Sequence, residues 1–280
     1  MDAVGRATQS RSGRMQSRYV RSVSRLLVRR PSPDLVRGEL THLARVPVDV
    51  ALAVKQWEQY VEAFRSRGWT IIEVEPADAH PDGVFIEDAL VVFDDLIVVC
   101  RAGASTRRGE ATTAASAAER LGLETVEITA PATLEGGDVL KVGRTVYVGS
   151  STRTNAAGIA QLRHLLQPRG WTVVEVPVTK MLHLKSGVTA LPDGTIVGYQ
   201  PLVDDTSLFP RFLSIPEAHG CAVVVLDPAS VIMSTNAPRT SALLQQRGLT
   251  VVTTPVTEFE RLEGCVTCLS VRLRGSPRPQ

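Results

Sequence analysis

Arg67-Gly68-Trp69-Thr70-Ile71-Ile72-Glu73-Val74 recurs almost letter for letter as Arg169-Gly170-Trp171-Thr172-Val173-Val174-Glu175-Val176. Arg247-Gly248-Leu249-Thr250-Val251-Val252 is a third copy, and Leu121-Gly122-Leu123-Glu124-Thr125-Val126 a weaker fourth. Glycine suits the left-handed position just past a helix C-terminus, and the β-branched run after it suits a buried strand. Each copy therefore marks a helix that ends and a strand that begins. Ahead of the first copy, Val50, Val54, Trp57, Val61 and Phe64 recur at steps of four and three, the apolar stripe of an amphipathic helix packed on a core.

Between these signals lie hairpins over 84–102, 138–149, 187–199 and 222–234, turning near Asp94-Asp95, Gly143-Arg144, Pro192-Asp193-Gly194 and Asp227-Pro228. Helical stretches are predicted after them at 107–121, 155–166 and 240–247, with a short one at 207–213 interrupted by Pro210. A hairpin, a helix and a strand repeating about every 50 residues point to a propeller or array rather than a doubly wound sheet. A strand at 24–30, stopped by Pro31, supplies a fifth module if 265–274 pairs with it, and that pairing closes a ring.

The totals fit this picture. In 280 residues, 44% are hydrophobic and 21% charged, ordinary for a globular chain. The net charge of +2 does not suggest nucleic acid or a membrane surface as partner. Arg6, Arg11, Arg14, Arg18, Arg21, Arg25, Arg29 and Arg30 face the single acid Asp2, so the rest is mildly acidic. Residues 1–20 read as a disordered basic tail and 21–280 as one catalytic domain. An Arg- and Ser-rich start also fits an organelle transit peptide, but no apolar run is long enough for a membrane span or a secretory signal. Cys100, Cys221, Cys265 and Cys268 form no disulfide framework and no local zinc pattern, which suits a cytoplasmic protein.

Four polar segments lie at hairpin starts or module junctions, where a ring would gather them: 85–88, 134–138, 182–186 and 263–270. Cys268 is a candidate nucleophile. His183 titrates near neutrality and is a candidate acid and base, and Glu135 is a candidate to orient its ring. The remaining groups, Asp82, Glu87 and Asp88, are acidic, which describes a pocket for a cation. A guanidinium is the planar cation with an electrophilic carbon that carboxylates hold by paired hydrogen bonds. Taken alone, a cysteine beside a strand is a small core residue, and that reading is kept for Cys100, Cys221 and Cys265; His164, between leucines on a helix, is read as structural.

Phe85-Ile86-Glu87-Asp88, Arg107-Arg108-Gly109-Glu110, Glu135-Gly136-Gly137-Asp138, Arg153-Thr154-Asn155, Leu182-His183-Leu184-Lys185 and Thr267-Cys268-Leu269-Ser270 together resemble the dimethylarginine dimethylaminohydrolases, in order and approximate separation. The resemblance spans about 22–274. It implies a five-bladed ring of ββαβ modules (an α/β propeller, the pentein fold) with the active site at its centre. It implies hydrolysis of Nω-methylated arginine to citrulline and di- or monomethylamine through a covalent thiouronium on Cys268. His183 would move the protons and Glu135 support it. Asp82, Glu87 and Asp88 would hold the guanidinium, Arg107 and Arg153 the α-carboxylate, and the carbonyls of Leu40, on a mobile lid, and Leu262 the α-amino group. No metal or organic cofactor is implied, and a homodimer is compatible. Cys265 departs from the pattern, standing where a glycine or aliphatic residue is expected.

The competing readings are an arginine deiminase or amidinotransferase on the same scaffold, a non-catalytic propeller that binds a partner, and a zinc protein using Cys265, Cys268 and His183. The Phe-x-Glu-Asp form at 85–88 favours the dimethylarginine branch over the deiminases.

Overall fold

Gly68, Gly122, Gly170 and Gly248 all have positive φ, between 69° and 87°, so the four repeated stretches turn as their spacing requires. A side chain would be strained at each. They lead into the strands Thr70–Glu73, Glu124–Glu127, Thr172–Pro177 and Thr250–Thr254. The protein is described by a computed structural model over residues 24–274; the predicted disordered tail, 1–20, lies outside the described residues.

Each of those strands is the edge of a three-stranded sheet and pairs in parallel with a central strand: Arg25–Val28, Leu96–Val99, Thr145–Ser150 and Ser230–Ser234, respectively. The central strand pairs antiparallel with the third: Val271–Leu273, Leu90–Phe93, Val139–Val142 and Val223–Asp227. A fifth sheet joins Val188–Ala190, Ile196–Gly198 and Phe212–Ser214 in the same pattern. Antiparallel neighbours need only a tight turn, whereas the parallel pair needs a crossover. Helices supply it in four modules: Val50–Arg65, Glu110–Glu119, Ala156–Leu166 and Pro238–Gln246. Asp49 and Asn155 cap the first and third of these, accepting from Leu52 N and Gly158 N.

The fifth sheet departs from expectation. No helix forms over 207–213; a single 3₁₀ turn, Thr206–Leu208, leads into the edge strand. Asp205 accepts from Ser207 N, and Pro210 has no N–H to continue a helix, so the chain stops after one turn.

The ring closes as the sequence pattern suggests. Arg25 opposes Leu273, Leu26 opposes Arg272 and Leu27 opposes Val271. The last strand is shorter than the expected 265–274, however, and Cys268 lies in the turn before it. Five apolar clusters fill the spaces within and between modules; one joins Leu26, Trp57, Val61 and Phe64 to Val224, Phe259 and Leu269, while of the rest of the expected stripe Val50 packs on its edge and Val54 is half-buried. The innermost strands surround a central cavity of about 410 Å³. The protein is a five-bladed α/β propeller, four of its modules ββαβ and the fifth with 3₁₀ turns in place of the helix. No helix among the described residues is long and apolar enough to cross a membrane.

Candidate active site

The segments that carry the candidate chemistry sit just before four of the five innermost strands. Short turns at Ile86–Asp88, Gly136–Asp138 and Leu184–Ser186 precede Leu90, Val139 and Val188, and the turn holding Cys268 precedes Val271. Ring symmetry aims these turns at one centre. Asp82, Asp88, Arg107, Arg153, His183, Leu262 and Cys268 wall one small cavity of about 10 Å³, room for roughly one water, together with Glu39 and Glu263.

His183 is buried, in extended backbone at the start of its turn. Its Nε2 lies 2.7 Å from Glu135 Oε2, and its Nδ1 is 3.9 Å from Asp88 Oδ1. Glu135 is fully buried; its Oε1 accepts from Gly103 N at 2.9 Å, and its own N–H donates to Thr154 Oγ1. The two glycines that follow are required by close approach. A Cβ at Gly136 would lie 2.0 Å from the Glu87 carbonyl, and one at Gly137 2.7 Å from the His183 ring and from Asp88 Oδ1. Gly137 N donates to that same oxygen at 3.0 Å.

Electrostatics follow from burial and these partners. Burial alone would depress His183, but the charges of Asp88, Glu135 and Asp138 and the Glu135 hydrogen bond outweigh it and raise it to about 9. Burial opposes ionisation of Glu135, yet its bond to His183 and the positive charges of His183, Arg107 and Arg153 bring it down to about 2. Asp82 is pushed up by burial. Cys268 is held well above the usual thiol range by its hydrogen bond with Cys265, by burial, and by the charges of Glu87 and Asp88. Near neutral pH Cys268 is thus a thiol and His183 an imidazolium.

Two expected site residues are placed differently. Glu87 does not face the cavity of Cys268. It lines the 410 Å³ central cavity and pairs with Lys185 Nζ at 2.6 Å, because neighbouring residues of the tight turn point to opposite sides. Arg107 lines the cavity wall, but its guanidinium is engaged: Nε and Nη2 donate to Glu110 at 3.0 and 2.8 Å, and Nη1 donates to Asp88 at 3.0 Å. Arg153 instead reaches residues ahead of the first helix, donating to Glu39 Oε2 at 3.0 Å and Thr41 Oγ1 at 3.1 Å. Leu262 lines the cavity, whereas Leu40 packs against the apolar cluster that contains Leu262 and Cys268.

Asp88, Glu135 and His183 offer donor atoms within 4.8 Å of one another, a trio able to hold a metal ion. Arg107 already brings a cation there, 3.0 Å from Asp88 and 3.6 Å from Glu135. The thiols of Cys265 and Cys268 are not part of that trio.

A buried thiol, a raised imidazole and carboxylates around one small cavity suit attack on a guanidinium carbon. Comparison with known proteins agrees. Residues 46–189 match the family model described as N,N dimethylarginine dimethylhydrolase, eukaryotic. The N(G),N(G)-dimethylarginine dimethylaminohydrolase of Streptomyces coelicolor is 54% identical over 248 residues, covering 89% of this chain and 96% of that one. The chain belongs to the dimethylarginine dimethylaminohydrolase family. Among solved structures of this family, the Pseudomonas aeruginosa enzyme, as a cysteine-to-serine mutant complexed with citrulline, superposes with a TM-score of 0.83 at 29% identity, over 90% of this chain and 100% of that one. A dimethylarginine dimethylaminohydrolase adduct with S-methyl-L-thiocitrulline gives 0.82 at 30% identity, over 89% and 99%.

Several contacts around the site of this family member escaped the sequence reading. Asp138 accepts from Leu184 N at 2.9 Å and from Ser151 Oγ at 2.7 Å, which fixes the backbone next to His183. Its place at the far end of Glu135-Gly136-Gly137-Asp138 was the available signal. Glu263, at φ 60°, accepts from the backbone N–H groups of Thr41, His42 and Leu43, and Asp82 Oδ2 accepts from Glu39 N at 3.0 Å. These carboxylates hold the 39–43 segment over the cavity, and no sequence pattern announces either contact.

Proposed function

We propose that the protein hydrolyses Nω-methylated arginine to citrulline and the corresponding methylamine, with Cys268 as nucleophile. The observation that carries this reading is the cavity that Cys268 shares with His183, walled by Asp82 and Asp88, with Glu135 bonded to His183 behind it. An arriving guanidinium pairs with Asp88 and Asp82 and offsets the negative charge that keeps the Cys268 proton in place. The Cys268 proton is released to solvent, and Sγ bonds to the guanidinium carbon as the C–N π pair moves onto nitrogen. The imidazolium of His183 gives its proton to the departing methylated nitrogen, with the Nε2 side held by Glu135 and Nδ1 left for the transfer. The neutral imidazole next takes a proton from water as its oxygen adds to the thiouronium carbon. Collapse breaks the C–S bond, the hydroxyl proton passes to the departing Cys268 sulfur, and the ureido group of citrulline is left.

Arg153 is the α-carboxylate partner in this reading, because its present partner Glu39 is itself a carboxylate that a substrate carboxylate replaces. Arg107 acts through Asp88 and Glu135, countering their charge. Leu262 and Leu40 supply carbonyls for the α-amino group. The four free thiols favour a reducing compartment, the cytoplasm. The test is citrulline release from asymmetric dimethylarginine, monomethylarginine and arginine with a chelator present. Turnover of the methylated substrates is expected; turnover of arginine alone would overturn the reading in favour of a deiminase.

A further inference from the structure

Cys265 has no part in the hydrolysis, yet its Sγ lies 3.3 Å from that of Cys268. The two form a Cys-x-x-Cys turn, Cys265-Val266-Thr267-Cys268, closed by Cys268 N donating to the Cys265 carbonyl at 3.1 Å. A turn closed in this way keeps its end Cα atoms inside about 7 Å, within the span a disulfide needs, and the sulfurs have only roughly 1.2 Å to close. Cys265 is half-buried and lines a cavity of about 200 Å³ with Leu43 and Met181; Leu182, Glu263 and Gly264 border both this cavity and that of Cys268, which Cys265 does not line. A small oxidant thus reaches Cys265 without crossing the substrate site. Donation from the Cys268 thiol lowers Cys265 and favours its thiolate.

We infer that Cys265 and Cys268 form a reversible disulfide that switches the hydrolase off under peroxide. The inference rests on Cys268 being the nucleophile. The Cys265 thiolate attacks a hydroperoxide: an S–O bond forms, the O–O bond breaks, and the departing oxygen leaves protonated, as water or an alcohol. The Cys268 sulfur then attacks Cys265 Sγ. The S–S bond forms, the S–O bond breaks, and hydroxide leaves as water with the Cys268 proton. Two electrons pass from the thiols to the peroxide. Thiol exchange with a dithiol reductant reverses the change, whereas Cys268 without a neighbour would proceed under excess peroxide to sulfinic acid, which a thiol does not restore.

The full-length protein is treated with excess hydrogen peroxide, quenched with catalase, and divided between non-reducing peptide mass spectrometry and citrulline assay with and without dithiothreitol. Expected is a cross-linked peptide lighter by two hydrogens, activity reduced by about tenfold or more, and recovery on reduction. Cys265→Ala, and Cys265→Ser as a second variant, remain active when reduced and lose the recovery. A peroxide-treated wild type with oxygen added to Cys268 and no cross-link would overturn the inference, as would equal recovery in both variants. The cross-link is read without any assay. A reduced protein inert toward methylated arginines would therefore sink the proposed reaction and still leave the disulfide decided.

Discussion

His183 Nε2 and Glu135 Oε2 are 2.7 Å apart, and neither side chain meets bulk solvent. The imidazolium is held to about 9, so with His183 as the proposed general acid kcat should stay level through neutrality and fall as pH rises past that value. Glu135→Gln removes one of the charges that offset burial. Its alkaline limb should move toward the ordinary histidine range, and kcat should drop by about tenfold or more. A pH–rate profile of both proteins checks this; an unmoved limb reassigns the acid.

The same pair sets a stability window. His183 has its folded value above the unfolded one, so its contribution is complete below about 6.5 and disappears as pH rises through about 9. Glu135 is displaced the other way; its contribution is complete above about 4.5 and is lost as pH falls toward about 2. The Tm gap between wild type and Glu135→Gln should be widest between about pH 4.5 and 6.5.

Cys268→Ser should lower turnover by about a thousandfold or more while leaving Tm and circular dichroism unchanged, since a hydroxyl replaces a buried thiol of similar shape. Substantial citrulline release from that variant would remove Cys268 as nucleophile.

Gly137→Ala places a methyl 2.7 Å from the His183 ring and Asp88. The ring must shift off Glu135, so kcat should fall much further than the roughly 1–3 kcal/mol of overpacking would suggest. Chemical denaturation alongside kinetics separates the two effects.

Glu263 accepts from three successive N–H groups of the 41–43 segment. Glu263→Ala should loosen that segment over the cavity, raising KM several-fold with kcat nearly unchanged. Limited proteolysis should cut faster beside the exposed Leu43. Equal KM and equal cleavage would leave the carboxylate with no role in the lid.

Lys185 and Glu87 form a buried ion pair at 2.6 Å. Lys185→Met should destabilise by about 3 kcal/mol, the low end for an orphaned buried charge, because Arg272 stays 3.9 Å from Glu87. Adding Glu87→Gln should recover most of that loss, measured by urea unfolding.

What could be read without coordinates was whatever repeats locally. The glycine after each helix and the β-branched run behind it are short-range signals, set by backbone sterics, and all four led to a left-handed turn and a parallel edge strand. The ring followed from pairing the two ends of the chain. The helix expected at 207–213 failed because a side-chain cap and a proline, both local, overrode a weak pattern. Cys268, His183 and Glu135 stood out only through six short motifs that resemble one family in order and spacing; the structure puts Cys268 and His183 on one cavity and Glu135 2.7 Å from His183.

The sequence by itself determined the modules and the candidate site groups, since helix ends, strand runs and side-chain chemistry are properties of a few neighbouring residues. Tertiary structure alone decided which way each charge points. Glu87 and Asp88 are adjacent in the chain and line different cavities, Arg107 is engaged by Glu110 and Asp88, and Glu263 grips a segment more than two hundred residues away. Such contacts depend on where the closed ring brings distant turns together, and a buried charge takes whichever partner that geometry puts within hydrogen-bond reach.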